Sequence, residues 1–295
     1  MSNEIKGVIL GFVGVAIFSL TLPATRIAVV GGLDPMFVAL GRAVLAAFIA
    51  GIILLITKQS VPPKRYWKRL FFVSFGIVLG FPLCMTFAMK SLPASHGGIV
   101  LGVLPLATTA AAAAFCWERP GIGFWILAIL GSSLVVIFAM IEGAGDLQTA
   151  DLLLLAAAAF GGIGYAMSGD LSRLLGGWQV ICWALIVSLP FIIPPFLWIL
   201  LDANWQVSSL TWGGFIYVSL FSQLIGFFAW NRALALGGVS KIGQIQLLQL
   251  FMTLLGSSLL LGEEIDEVTI FFATCVVVVV AIGRRMPVKR KILSS

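Results

Sequence analysis

Residues 237–264 read GGVSKIGQIQLLQLFMTLLGSSLLLGEE, an apolar stretch that nevertheless carries the glutamines Gln244, Gln246 and Gln249. It is long enough to cross a bilayer as a helix, which takes about 20 mainly apolar residues. A very similar stretch, PASHGGIVLGVLPLATTAAAAAFCWERPG, occupies residues 93–121. The shift of about 144 positions is close to half of the 295-residue chain, so we interpret the sequence as a duplication.

The composition is that of a membrane protein. Hydrophobic residues make up 60% of the chain and charged residues 10%, whereas a soluble domain is about half apolar and a quarter charged. The net charge of +6 would suit a nucleic-acid partner. The basic residues, however, lie between apolar runs and near the C-terminus, as they do in membrane proteins. We therefore expect no nucleic-acid partner.

Ten apolar runs are long enough to span a membrane, and short connections separate them. The runs are 7–30, 36–57, 69–91, 94–117, 121–141, 149–171, 177–201, 209–232, 239–262 and 267–284. We therefore predict an all-α membrane protein with ten transmembrane helices. Fifteen of the 18 Lys and Arg residues fall near the chain ends or in connections that follow even-numbered runs. Since cytoplasmic loops are rich in Lys and Arg, both termini are expected on the cytoplasmic side of a bacterial inner (plasma) membrane.

Each half of the chain holds five runs, and we place the two repeats at residues 1–145 and 146–295. An odd number of crossings means that the second half enters the membrane from the opposite side, which makes the repeats inverted. Proteins built this way hold a ligand near the bilayer midplane, in a central cavity between the halves. The halves also share a glutamate at the end of the matching stretch, Glu118 and Glu263. Chance similarity between two Leu- and Ala-rich helices is the alternative explanation.

Short motifs extend this pattern along nearly the whole chain. They are Pro23 to Arg26, Arg42, MKSLPASHGGIVLGVLPL (89–106) with Glu118-Arg119, Gly177-Trp178-Gln179, FFAWNRALALGG (227–238) and Gly262-Glu263. In their order and spacing they resemble the drug/metabolite transporter superfamily, in the branch with two EamA-type five-helix repeats. The resemblance implies a cavity lined by the first four helices of each repeat, and export or exchange of small metabolites, often amino acids. The chain departs from the pattern at Gln249, where the second repeat often has Pro.

The leading hypothesis is therefore a secondary transporter that works by alternating access. We expect its partners to be a small-molecule substrate and membrane lipid, with no cofactor or metal, and we expect a monomer or weak homodimer. A lipid flippase of the same fold is an alternative. A membrane-embedded enzyme is disfavoured, because the sequence has no HExxH, GxSxG or GxGD motif and no clustered Asp residues.

Two arginines, Arg26 and Arg42, lie inside apolar runs. An ionised side chain at mid-membrane costs about 2.5–3.5 kcal/mol on insertion scales, so each needs a partner, water or a function. Arg26 follows Pro23, whose ring removes a helix hydrogen bond and frees a carbonyl. Each arginine is interpreted either as a ligand for a substrate carboxylate or phosphate, or as a structural residue that reaches headgroups or caps another helix. No Asp or Glu lies near the middle of a run, so a carboxylate proton relay has no candidate.

Uncharged polar and aromatic side chains supply the other candidates. Gln246, Gln249 and Thr253 share one face of the ninth helix, either to line the cavity or to hold a neighbouring helix, and Gln244 lies off that face. His96, the only histidine, is interpreted as the capped, partly solvated start of the fourth helix, with a proton-sensing role as the alternative. The candidate substrate-binding residues are Arg26, Arg42, Thr108, Tyr165, Trp183, Tyr217, Gln223, Trp230, Gln246 and Gln249.

Overall fold

Backbone turns at the ends of the apolar runs divide the chain into helices. Pro35 opens one helix at its first position, where a missing N–H breaks no hydrogen bond. Asp34 before it accepts hydrogen bonds from two backbone N–H groups of the first turn, at 2.8 and 3.1 Å. Gly176 and Gly238 have φ values of 96° and 88°, a conformation that other residues disfavour. Each of these glycines therefore separates two helices by a single residue.

The computed structural model describes residues 2–92, 94–141, 149–201, 205–261 and 267–290. Two short strands are β1 (Glu118–Pro120) and β2 (Val288–Arg290). The helices are α1 (Asn3–Val30), α2 (Pro35–Ile56), α3 (Lys64–Ser91), α4 (94–115), α5 (Ile122–Ile141), α6 (Thr149–Leu175), α7 (Gly177–Leu200), α8 (Ser209–Gly237), α9 (239–261) and α10 (Glu267–Arg285). Each predicted run corresponds to one helix, and the all-α membrane fold is confirmed.

Helix lengths fit a bilayer. Within the described residues, seven helices are long and apolar enough to cross a membrane, and α5, α9 and α10 contain shorter apolar stretches, Ile122–Phe138, Val239–Leu255 and Glu267–Gly283. The predicted bounds differ most for α3, which begins at Lys64 rather than at 69, and for α8, which ends at Gly237 rather than at 232. Near both places basic residues, such as Lys68 and Arg232, interrupt the apolar run without interrupting the helix.

Irregular helical turns recur in both halves. α3 contains a π-helical segment, Ser74–Gly80, and α8 contains one at Tyr217–Ile225. α4 contains a 3₁₀ turn at Leu101–Val103, and α9 contains one at Gln244–Leu248. The shifts from 74 to 217 and from 101 to 244 are both 143 residues. Because π and 3₁₀ stretches inside helices are uncommon, their matched positions support the duplication.

The helix pairs interchange when the two halves are exchanged. α1 packs along α8, and its counterpart α6 packs along α3. α2 packs against α7, and α5 packs against α10. Exchange of the halves turns the α1–α8 pair into the α6–α3 pair. It leaves the α2–α7 and α5–α10 pairs unchanged, as expected for two repeats related by a two-fold axis. The boundary that we expect between the repeats, at residue 145, lies outside the described residues.

The α3–α6 contact is close because both helices carry glycine there. A Cβ atom on Gly76 would lie 2.9 Å from the Gly164 Cα atom and 2.8 Å from the Phe160 carbonyl oxygen. Both are backbone atoms, which cannot move aside as a flexible side chain can. Small residues at such positions let membrane helices approach closely and gain packing contacts.

The two chain ends share one end of the bundle with the connections that follow α4 and α8. Lys241 Nζ, near the start of α9, lies 3.9 Å from Glu4 Oε1 at the start of α1. β1 follows α4 and pairs antiparallel with β2, which follows α10. Since α1, α4, α9 and α10 all have a terminus here, the arrangement agrees with ten helices that cross in alternate directions.

Candidate functional site

A cavity lies between the two halves of the protein. Its walls come from α1 to α5 in the first half and from α6, α8 and α9 in the second. The volume open to water-sized molecules is about 40 Å³, room for about three waters. A larger ligand therefore requires the walls to move. The polar residues that line the cavity are Thr21, Arg42, Tyr165, Ser222, Gln223, Gln246, Gln249 and Thr253.

Arg42 is the charged group among the described residues that line this cavity. It lies seven residues from the start of α2, about 10 Å along the helix, and is 2% exposed. Its Nη2 donates to Ser222 Oγ at 3.0 Å, and Ser222 Oγ lies 2.9 Å from Thr21 Oγ1. Its Nε and Nη1 are buried without a hydrogen-bond partner among the described residues. A guanidinium is a planar fork of donors that matches a carboxylate, so Arg42 has unused capacity for an anion.

Two amides and a phenol extend the polar wall. Gln246 is 5% exposed and lies close to Tyr165, but the geometry of a hydrogen bond is not met, and neither atom of its amide has a partner in the described part of the chain. Tyr165 lines the same cavity as Arg42. Gln223 Nε2 donates to the Ile77 carbonyl at 3.2 Å, inside the π segment of α3. A buried polar group without a partner costs about 1–3 kcal/mol, so Gln246 offers both a donor and an acceptor to a ligand.

α1 is interrupted beside the cavity at Leu20, whose φ of −90° and ψ of 1° leave the helical range. Pro23 lacks the N–H group that would bond the Ser19 carbonyl four residues earlier. Thr253 of α9 donates to that carbonyl at 2.6 Å. The carbonyl that the sequence predicts to be freed by Pro23 is thus bonded by a side chain of the other half.

Two further side chains bond the carbonyls that precede the interruption. Gln249 Nε2 donates to the Phe18 carbonyl at 3.3 Å, and the Tyr217 hydroxyl donates to the Ile17 carbonyl at 2.8 Å. Gln249 belongs to α9 and Tyr217 to α8, so two helices of the second half fix the shape of α1. Gln249 therefore bonds a backbone carbonyl beside the interruption of α1.

Aromatic rings form much of the apolar wall. The Tyr165 ring centroid lies 6.4 Å from Phe18, 6.5 Å from Phe81 and 5.8 Å from Phe227, and all four residues line the cavity. Trp230 is fully buried behind them, with its ring centroid 5.7 Å from Tyr165. A mainly apolar wall with a few placed polar groups is the usual form of a site for a small organic molecule.

The structure brings half of the candidate residues to the cavity. These are Arg42, Tyr165, Gln223, Gln246 and Gln249. Tyr217 and Trp230 do not line the cavity: Tyr217 bonds the Ile17 carbonyl, and Trp230 packs against the Tyr165 ring. Thr108 bonds the Leu104 carbonyl of its own helix at 2.9 Å, and Trp183 is half-buried and packs against the hydrophobic core.

Arg26 lies outside the cavity lining and binds the end of another helix. Its Nη1 donates to the carbonyl of Met89 at 3.1 Å and to the carbonyl of Leu92, at the C-terminal end of α3. The last carbonyls of a helix lack partners within it, and the helix dipole favours a cation there. Of the two interpretations, this placement matches the capping of another helix.

Sequence reasoning missed Thr21 and Ser222, which connect to Arg42. Ser and Thr in membrane helices usually bond a carbonyl of their own helix, as Thr25 does with the Thr21 carbonyl at 2.7 Å. Such residues therefore give a weak signal. Ser222 precedes Gln223 in the chain, and Gln223 was the candidate residue that indicated this part of α8.

His96 joins α4 to α6 at the end of the bundle remote from the chain termini. Its Nε2 lies 2.6 Å from Asp151 Oδ1, and the two side chains are 4% and 5% exposed. The prediction that His96 is partly solvated is wrong, because a carboxylate of the second half covers it. In the parts of the chain that the structure describes, no group of three or more His, Cys, Asp and Glu side chains could hold a metal ion.

Glu118 joins three helices at the opposite end, where it is 3% exposed. Its Oε1 accepts from Arg173 of α6 at 3.3 Å and from the Val239 N–H at 3.0 Å, and its Oε2 accepts from the Ser240 N–H at 2.9 Å. A carboxylate is favourable at a helix N-terminus, here that of α9. Glu263, the counterpart in the second half, lies outside the described residues.

Comparison with known proteins identifies the family. The model of the EamA-like transporter family matches the chain twice, at residues 5–140 and 148–283. A Bacillus subtilis (strain 168) protein named "Uncharacterized transporter YdeK" is 42% identical over 285 residues, which are 97% of this chain and 99% of that protein. A solved crystal structure is similar in fold, with a TM-score of 0.74 and 17% identity over 95% of this chain and 96% of the other. The chain therefore belongs to the EamA-like transporter family and is a membrane transporter rather than an enzyme.

Proposed function

We propose that the protein is a secondary transporter that moves a small organic metabolite across the bacterial inner membrane by alternating access. The substrate is an amino acid or a similar solute that carries a carboxylate, and it is exported or exchanged. Both termini lie in the cytoplasm, because the bundle end that holds them is the end rich in Lys and Arg.

The observation that carries this proposal is the unpaired part of Arg42. Two of its three nitrogens have no hydrogen-bond partner in the described residues, although the side chain is 2% exposed. A buried charge is costly unless it is paired. A guanidinium kept in this state beside a cavity is best explained by an anion that binds during the transport cycle.

Alternating access is supported by the contacts at the two ends of the cavity. α4 is joined to α6 by His96 and Asp151 at one end, and Glu118 joins its other end to Arg173. Both connections are present while the cavity holds about 40 Å³ of free volume. Separation of either pair would open the cavity towards one side, and the intact pair would keep the other side closed.

The proposal is tested with the purified protein in liposomes. Radiolabelled carboxylates, including amino acids, should enter these vesicles faster than they enter empty vesicles. A thermal-shift screen in detergent narrows the panel first, because a ligand that binds the folded state raises the melting temperature by mass action. If every solute enters protein-containing and empty vesicles at the same rate while labelled lipid changes leaflet faster, the protein is a flippase instead.

A further inference from the structure

The cavity contains a single kind of charge. Among the described residues that line it, Arg42 is the one charged side chain, and none is Asp or Glu. The remaining polar groups are hydroxyls and amides, which are neutral. The lining therefore carries a charge of +1 in an interior of low dielectric constant, where charge without compensation is expensive.

A ligand's own charge decides whether the occupied cavity is neutral. A monocarboxylate brings the total charge to zero, and its two oxygens can accept from the guanidinium as a bidentate pair. A zwitterionic amino acid leaves the total at +1, and its ammonium group has no carboxylate partner among the described lining residues. A phosphate dianion leaves the total at −1. Only the monoanion removes the cost of the buried charge.

We propose that this cavity binds a small monocarboxylate without an ammonium group, in preference to the amino acid with the same side chain. The chemical class is a 2-oxo acid with an aromatic or branched apolar side chain. The inference rests on the proposed function, since it names the substrate class of the same site. It narrows the predicted class of amino acids and similar solutes to those that neutralise Arg42.

Gln246 supplies the reason for the 2-oxo group. Its amide is buried without a hydrogen-bond partner among the described residues, and it lines the same cavity as Arg42 and Tyr165. The Gln246 N–H groups are therefore available to the carbonyl oxygen adjacent to a carboxylate bound in this cavity at Arg42. Phe18, Phe81 and the Tyr165 ring give the apolar side chain a matching wall. A buried donor left unpaired disfavours an analogue that lacks the oxo oxygen.

The test compares solutes that differ in one group. Full-length protein in liposomes at pH 7.5 is given radiolabelled phenylalanine, phenylpyruvate or 3-phenylpropionate, and initial uptake is measured against empty vesicles. We expect phenylpyruvate to enter at least tenfold faster than phenylalanine. Arg42→Gln should abolish this preference, and Gln246→Leu should abolish the preference for phenylpyruvate over 3-phenylpropionate. Arg26→Gln is the matched control, because Arg26 lies outside the cavity lining. The Arg26→Gln protein should keep the substrate preference of the wild type.

The outcomes separate the two proposals. If phenylalanine enters as fast as phenylpyruvate or faster, transport stands and the monocarboxylate inference is overturned. If Arg42→Gln keeps the tenfold preference while it melts at the wild-type temperature, Arg42 does not select the charge, and the inference again fails. If none of these solutes, nor any other carboxylate in the panel, enters faster than in empty vesicles, the proposed function fails and the inference fails with it.

Discussion

Removal of the Glu118 carboxylate should destabilise the protein more than removal of any exposed acidic group. In Glu118→Ala, the N–H groups of Val239 and Ser240 lose their acceptor and Arg173 loses its partner. Loss of one member of a buried ion pair typically costs about 3–5 kcal/mol. For a chain of this size about 2 °C of melting temperature corresponds to each kcal/mol, so the expected fall is roughly 6–10 °C.

A thiol-reactive fluorophore provides the assay. Cys116 and Cys182 are free and buried, so both react only when the protein unfolds in detergent. Glu118→Gln keeps one acceptor oxygen, so its melting temperature should fall by about half as much as that of Glu118→Ala. Glu4→Ala is the matched control at the same end of the bundle, because Glu4 is 59% exposed and its Lys241 contact is 3.9 Å long. A Glu118→Ala protein that melts within 2 °C of the wild type would refute the reasoning.

Three further predictions concern the α1 interruption, the α3–α6 contact and the topology. Thr253→Val leaves the Ser19 carbonyl without its donor and should lower the melting temperature in the same assay by a few degrees, since an unpaired buried acceptor costs about 1–3 kcal/mol. Gly76→Leu places side-chain atoms against the α6 backbone, so the protein should insert into the membrane but melt at least 5 °C lower; an unchanged melting temperature would contradict the contact. A membrane-impermeant maleimide added to intact cells should label Ser208→Cys and leave Ser60→Cys unlabelled. The reverse labelling pattern would invert the orientation.

The sequence predicts the helices well because hydrophobic length is a local property. Each of the ten runs became a helix, and the family match confirms the repeated organisation. The irregular turns could not be predicted in the same way. A π segment at Ser74–Gly80 depends on what the neighbouring helices offer to its carbonyls, and Gln223, which bonds the Ile77 carbonyl, lies 146 residues away.

The site was predicted in part, for a related reason. The helical spacing of Gln246, Gln249 and Thr253 placed all three on one face, and all three line the cavity. Arg42 was identified equally well, because it is a charged residue inside an apolar run. The same signal did not distinguish Arg26 from Arg42, because both are intramembrane arginines and only the packed structure decides which carbonyls lie within reach.

The absence of a carboxylate among the described residues of the cavity lining also bears on energy supply. A monoanion that crosses alone carries one negative charge, whereas Arg42 stays behind. Bacterial cells keep the cytoplasm electrically negative, and each 100 mV of that potential favours the departure of such an anion by about 2.3 kcal/mol. At 100 mV this energy supports a concentration outside the cell that is roughly fiftyfold higher than inside. The voltage alone would then drive the exit of the solute, without a cotransported ion.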